Sequence, residues 1–171
     1  MGKLFVKEED ILKFLNENGF FVCEYKSLER TSDEIDLHEM VTEVKIRPFG
    51  GGKIIDASAI CDDMEFELVY FKPYKAKNGQ TYTRVKSISL GDEFRDFMFE
   101  SYGEEYLDFL EKSAKEERSK AISAAMEDLN RRVCDREIVS AVLRNALTSA
   151  SKKQIFVKIK RAKLKESANE M

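Results

Sequence analysis

The sequence is poor in residues that break regular structure and in residues that most often carry catalysis. It has two prolines among 171 residues, and 43% of its residues are hydrophobic, a composition that excludes a disordered chain. Its single histidine, His38, has no partner base and nucleophile in a pattern that would support a catalytic triad. We therefore expect a folded protein that works by binding rather than by catalysis, with no metal and no cofactor.

Long apolar runs and paired cysteines are also missing. No apolar segment approaches the length that crosses a bilayer, and the first residues lack a signal-peptide core. Cys23, Cys61 and Cys134 form no C-x-x-C pair and lie among apolar residues, which predicts buried free thiols in a reducing compartment. These features predict a cytoplasmic protein without membrane contact.

The apolar pattern of the first 90 residues predicts a short helix followed by a mainly antiparallel sheet. Residues 7–18 have helical spacing and end at Gly19, which suits a left-handed residue after a helix. Aromatic and β-branched residues then predict strands at 20–25, 35–38, 41–47 and 53–61. A long hairpin over residues 65–90 completes this part.

The second half of the sequence changes to a helical period. Asp92 is expected to cap a helix that Gly103 interrupts, and residues 91–150 continue as helices up to a short linker at 148–151. The basic tail at 151–171 contains β-branched residues that favour a strand, with an amphipathic helix as the alternative. We predict a single α+β domain over residues 1–171.

The hairpin is predicted to turn at Asn78-Gly79, the dipeptide that best tolerates a two-residue type I′ turn. This turn would place Lys75 opposite Tyr82 and would put four of five basic residues on one outward face. The same register leaves Ile88 on the outward face, which a bulge near Ser87 or helices covering both faces of the hairpin base would explain.

A basic hairpin that carries aromatic residues is typical of nucleic-acid binding. The net charge of −3 means that any anion-binding surface must be local. Lysine and arginine neutralise phosphates, and tyrosine rings stack on bases or sugars. The predicted nucleic-acid site comprises Lys75, Lys77, Arg84, Lys86, Tyr74 and Tyr82, extended by Lys158, Lys160, Arg161 and Lys163 of the basic tail. The alternative is a solvated hairpin whose lysines protect an exposed sheet edge.

An acidic segment gives a second hypothesis. Residues 92–117 contain ten acidic and three basic residues, which is typical of a solvated helix face. The same face could dock on the basic surface of another protein, so that the chain would act as a regulator, inhibitor or assembly factor. The residues proposed for this role are Glu104, Glu105, Asp108, Tyr102 and Tyr106.

A third hypothesis rests on two carboxylates and a lysine. Asp36 precedes Glu43-x-Lys45, and a predicted helix with Glu8 and Glu9 comes before them. This order resembles the PD-(D/E)xK nuclease family, which implies metal-dependent phosphodiester hydrolysis with the carboxylates as ligands and the lysine at the attacking water or scissile phosphate. The chain lacks the proline before Asp36, and glycines follow the second motif where the family continues into a helix. Alternating polar residues on a strand are the other interpretation.

Overall fold

A computed structural model describes residues 3–26, 34–36, 41–48, 51–131 and 136–170. Its fold belongs to the α+β class, with an antiparallel sheet in the first half and long helices in the second, as predicted. The chain divides into two compact units, Lys3–Tyr102 and Gly103–Met171. Whether the two units form one domain stays a prediction.

The first unit contains two antiparallel sheets. Strand β1 (Phe5–Lys7) pairs with β3 (Glu34–Asp36). The strands of the larger, five-stranded sheet are β2 (Phe20–Lys26), β4 (Val41–Pro48), β5 (Ile55–Cys61), β6 (Phe66–Lys75) and β7 (Thr81–Ser89). Their order in the sheet is β2-β4-β5-β6-β7. The sequence did not predict β1, because three residues are too short to show an alternating pattern.

Helix α1 (Glu8–Glu17) supplies the centre of the core of this unit. Its residues Ile11, Phe14 and Leu15 are buried at the spacing of one helix face, and Gly19 follows with the predicted left-handed φ of 89°. The Phe14 ring lies 4.9 Å from that of Phe66 on β6, in edge-to-face geometry. The helix therefore covers the base of one sheet face.

Helix α2 (Gly91–Arg131) begins in the first unit and is interrupted at Gly103, as the sequence predicts. Gly103 has φ 52° and ψ −127°, a conformation that a helix cannot contain. The predicted cap at Asp92 is wrong, because the helix begins at Gly91 and the carboxylate of Asp92 pairs with Arg95 in the first turn. Phe94 and Met98, one turn apart, are fully buried in the core.

The second unit is an antiparallel helical hairpin. It is formed by α2 after Gly103 and by α3 (Arg136–Asn169). Leu107, Leu110 and Val157 are buried in it. The predicted linker at 148–151 is wrong, because α3 runs through it without a break. No helix in the described ranges has the combination of length and apolar composition that crosses a bilayer.

The basic tail forms the last part of α3 and not the strand that its β-branched residues favour, so the helical alternative is the correct one. Phe156 and Val157 lie on the side of α3 that packs against α2, where the Phe156 ring is 6.2 Å from that of Tyr106. Packing between the helices therefore outweighs the strand preference of these residues, because strand preference depends strongly on context.

Candidate nucleic-acid interface

The hairpin of β6 and β7 lies where the sequence predicts, but it turns through three residues rather than two. The N–H of Gly79 donates to the carbonyl of Ala76 at 2.9 Å, and the N–H of Ala76 donates to the carbonyl of Gln80 at 2.9 Å. The loop therefore consists of Lys77, Asn78 and Gly79. Gly79 has a φ of 81°, as expected for the left-handed residue that ends a three-residue hairpin loop.

The longer loop shifts every predicted pair of the hairpin by one residue. Tyr74 lies opposite Tyr82, where the sequence predicted Lys75. Side chains alternate between the faces of a strand, so a shift of one residue moves every side chain of β7 to the other face. The predicted register is therefore wrong, and Tyr82 and Arg84 share the sheet face that buries Leu68.

The observed register also corrects the predicted position of Ile88. Ile88 lies opposite Leu68 on the core-facing side of the sheet, and the pairing continues without interruption from Glu67 to Lys75. Neither a bulge near Ser87 nor an additional layer of helices is needed to explain an apolar residue at this position. The three-residue loop alone accounts for it.

The distal part of this face holds two tyrosines and an arginine in contact. The rings of Tyr74 and Tyr82 are stacked, with centroids 5.8 Å apart and an interplanar angle of 29°. The guanidinium carbon of Arg84 lies 4.0 Å from the centroid of the Tyr74 ring. The hydroxyl of Tyr82 donates to Gln80 Oε1 at 2.6 Å, which links this ring to the loop. The three side chains thus form one ordered layer on the sheet.

Lysines extend this layer, and the hairpin segment that carries them contains no acidic residue. Residues 68 to 91 include five basic residues and no acidic residue. In the part of the chain that the structure describes, none of the five forms an ion pair. The side chains on the shared face, called the distal face from here on, are Lys72, Tyr74, Tyr82, Arg84 and Lys86.

The structure brings together only some of the predicted site residues. Lys75 pairs with Thr81 on the opposite face of the hairpin, and Lys77 belongs to the loop. Lys72, which is not among the predicted site residues, lies opposite Arg84 on the distal face. The sequence contained a signal for this register. Ile88 is apolar, and of the two registers only the observed one places it on the core-facing side of the sheet.

The opposite face of the hairpin carries exposed apolar side chains as well as Lys75. Phe71 and Val85 form a cross-strand pair there, and their side chains are 66% and 63% exposed. With the predicted register, Phe71 would have shared a face with the basic residues. The observed register therefore gives the hairpin one face with most of its basic residues and both tyrosines, and another face with exposed Phe71 and Val85.

The basic residues predicted in the tail have different surroundings. Arg161 donates to Glu104 Oε2 at 3.4 Å, to Asp108 Oδ1 at 2.6 Å and to Glu111 Oε2 at 2.8 Å. The hydrogen bond from Arg161 lowers the pKa of Glu111, and the same bond raises the pKa of Arg161. The charge of Arg161 is therefore engaged within the helical unit.

The three tail lysines of the prediction also lie on α3. The ammonium group of Lys160 lies 5.4 Å from the centroid of the Phe156 ring. Lys158 and Lys163 are exposed. Their continuity with the hairpin, which the sequence suggested, stays a prediction.

The residues proposed for a protein partner are partly used inside the fold. Glu104 and Asp108 both bind Arg161. Tyr106 is fully buried, and the hydroxyl of Tyr102 donates to Asp10 Oδ2 at 2.6 Å. Glu105 is exposed. The hypothesis of an acidic docking face stays a prediction, with less exposed surface than the sequence suggests.

The residues of the nuclease hypothesis lie on different sheets. Asp36 belongs to β3 and pairs with β1, whereas Glu43 and Lys45 belong to β4 of the larger sheet. The side chains of Asp36 and Glu43 lie outside the described parts, and the next described element is β5, a strand. Among the described residues, no group of three histidine, cysteine or acidic side chains is placed to hold a metal ion. The hypothesis stays a prediction.

The cysteines differ from one another. Cys61 is buried, and this burial, with smaller effects from Asp62 and Asp63, raises the pKa of its thiol well above the ordinary value. Cys23 is exposed on the edge strand β2, so its predicted burial is wrong. Cys134 and His38 lie outside the described residues. A raised thiol pKa reduces the thiolate fraction, which makes Cys61 a poor nucleophile.

No family model, curated protein or solved structure matches this chain.

Proposed function

We propose that this protein binds nucleic acid through the distal face of the β6–β7 hairpin. The observation that supports the proposal most strongly is the layer formed by Arg84, Tyr74 and Tyr82. Lys72 and Lys86 extend it, and no carboxylate occurs in residues 68 to 91. Such a surface combines positive charge with exposed aromatic rings.

Each part of the distal face has a role in this proposal. Lys72, Arg84 and Lys86 would contact phosphates, which supply most of the affinity and make it dependent on salt. Tyr74 and Tyr82 are 36% and 42% exposed, and their exposed surfaces would contact bases or sugars. Because bases in a duplex are already stacked on each other, we expect stronger binding to single strands.

The test is fluorescence anisotropy with labelled single-stranded and duplex oligonucleotides at several salt concentrations. For single strands, the slope of log affinity against log salt is expected to be about −0.7 for each phosphate contacted. The double variant Lys72→Glu, Arg84→Glu should weaken binding at least tenfold and make the slope shallower. Tyr74→Ala should cost roughly fivefold or more, since one stacked base contributes about 1–3 kcal/mol.

The matched control is Lys75→Glu, which reverses a charge at the same end of the hairpin on its opposite face. This variant should retain most of the affinity, because Lys75 does not share the face of the tyrosines. Equal losses in Lys75→Glu and Arg84→Glu would contradict the proposed face. A wild-type protein with no salt-dependent binding at low ionic strength would refute the proposed function.

A further inference from the structure

Two isoleucines of α3 point away from the core of the helical unit. Ile155 and Ile159 are one turn apart, and their side chains are 57% and 50% exposed. Val157 lies between them, about 200° around the helix from each, and is 4% exposed. The isoleucines therefore occupy the face of α3 opposite the one that packs against α2.

Lysines lie beside these isoleucines. Lys152 precedes Ile155 by three residues and Lys163 follows Ile159 by four, so both share the outward face. Lys158 and Lys165 flank it, and all four lysines are exposed. Among the described residues, none of the four forms an ion pair. The outward face, called the lysine–isoleucine stripe from here on, comprises Lys152, Ile155, Lys158, Ile159, Lys163 and Lys165.

The other charged residues between 138 and 165 do not neutralise the positive charge of the lysine–isoleucine stripe. Residues 138 to 165 contain eight basic residues and no acidic residue. The carboxylates of α2 bind two of the basic residues, Lys153 and Arg161, from the inward side. The lysines of the stripe keep their positive charge at the surface. Glu166 follows Lys163 by three residues and lies at the C-terminal end of the same face, so four lysines are offset there by one carboxylate.

We propose that the lysine–isoleucine stripe binds the surface of an anionic phospholipid bilayer. Aliphatic side chains do not stack on bases, but they enter the boundary between headgroups and acyl chains. Lysine stems can lie along that boundary while their ammonium groups contact anionic headgroups. The helix would lie parallel to the membrane, with about 20 Å of its length in contact.

Binding of this helix to a membrane surface differs from insertion across a bilayer. The expectation of no membrane contact came from the lack of a bilayer-spanning apolar segment and of a signal peptide. A helix that lies on the surface needs neither, because only one of its faces leaves water. The proposal concerns a different ligand and a different surface from those of the distal face of the hairpin.

The test is co-sedimentation of the full chain with vesicles of phosphatidylcholine alone or mixed with phosphatidylserine. The wild-type protein should bind only the vesicles that contain phosphatidylserine, and added salt should release it. Lys158→Glu and Lys163→Glu should each lower the partition coefficient by at least about fivefold. Lys112→Glu, an exposed lysine on α2, is the matched control and should bind nearly as the wild type does.

The isoleucines separate lipid binding from binding of nucleic acid. Ile155→Ser with Ile159→Ser should lower vesicle binding by roughly tenfold for each residue, and should leave oligonucleotide binding unchanged. Because both side chains are exposed, circular dichroism should show unchanged helix content. Arg84→Glu should leave vesicle binding intact, so failure of this proposal is distinguishable from failure of the proposed function.

Three outcomes would overturn the proposal. The first is a wild-type protein that does not bind phosphatidylserine vesicles at low salt. The second is vesicle binding that survives both serine substitutions, because the isoleucines would then have no role. The third is oligonucleotide binding that is lost on charge reversal of the stripe while vesicle binding remains, which would assign these lysines to nucleic acid.

Discussion

The β6–β7 hairpin and helix α3 are both rich in basic residues, but they differ in whether carboxylates of the fold pair with those residues. In the hairpin, none of the five basic residues is paired within the described chain. In α3, carboxylates of α2 bind Arg161 and Lys153 from one side, whereas the lysines of the other side remain exposed. The charge that a segment presents to a ligand therefore depends on which of its faces meets the rest of the fold.

The two regions also differ in the apolar groups that accompany their charges. The hairpin presents tyrosine rings beside arginine, an arrangement suited to flat, conjugated ligands. Helix α3 presents isoleucines beside lysines, which suits an interface with acyl chains. We therefore expect the two positively charged surfaces to bind different chemical classes of ligand.

The two regions should differ most in how the free energy of unfolding responds when one lysine is replaced by an uncharged residue. Lys153 is 4% exposed, and its ammonium group binds Glu117 and lies 3.1 Å from Ser113 Oγ. Lys153→Met should lower the free energy of unfolding by about 2 kcal/mol, because the carboxylate of Glu117 would lose its cation in a partly buried position. Urea denaturation at pH 7 measures this change.

The matched variant for this comparison is Lys72→Met in the hairpin. Lys72 is exposed and forms no ion pair within the described chain, so its loss should change stability by less than about 0.5 kcal/mol. Similar effects of the two substitutions would show that the paired and unpaired lysines do not differ as the structure indicates.

A smaller effect is expected at the tip of the hairpin, where backbone conformation rather than charge is tested. Gly79→Ala should destabilise the protein by about 1 kcal/mol, because alanine is strained at a φ of 81°. A Cβ at this position would meet no atom within 4 Å, so crowding adds nothing to the cost. Thermal unfolding measures the shift.

Gly79→Asn is the control for this substitution, since asparagine tolerates left-handed backbone better than alanine does. It should recover much of the stability lost in Gly79→Ala. If alanine were tolerated as well as glycine, the three-residue loop with a left-handed last residue would be incorrect.

The smallest expected effect is on pH dependence. Lowering the pH should reduce the contribution of the helical unit to the free energy of unfolding, but not that of the hairpin. The hydrogen bond from Arg161 lowers the folded-state pKa of Glu111, so its contribution to stability is complete above the ordinary glutamate pKa of about 4.3. The contribution is lost as the pH falls through the lowered pKa. It should be a few tenths of a kcal/mol, since the Glu111 side chain is 36% exposed.

Arg161→Gln removes this hydrogen bond together with the bonds to Glu104 and Asp108. The difference in free energy of unfolding between wild type and variant should be largest above pH 5 and should shrink below pH 4. Lys72 forms no ion pair among the described residues, so Lys72→Gln should show no such pH-dependent difference. A difference between wild type and Arg161→Gln that grows in acid would contradict the assigned pair.

Local chemistry made several elements predictable. Gly19 and Gly103 marked the end of α1 and the break in α2 because both positions need backbone conformations outside the helical region. The hairpin was located from Asn78-Gly79, but its register was not, since the same residues fit a two-residue turn or the end of a three-residue loop. Which loop formed decided whether Tyr82 and Arg84 joined Tyr74 and Lys72 on one face or joined Lys75 on the other.

The sequence by itself determined the α+β class, the place of the hairpin and the clustering of positive charge, because periodicity and turn chemistry are local properties. Only the tertiary structure decided the hairpin register, the helical state of residues 152–165 and the pairing of Arg161 with the acids of α2. The helical state and the ion pairs depend on contacts between residues distant in the chain, where packing energies exceed local preferences. The register depends on which of two locally possible loops forms, and the observed loop places Ile88 on the core-facing side of the sheet.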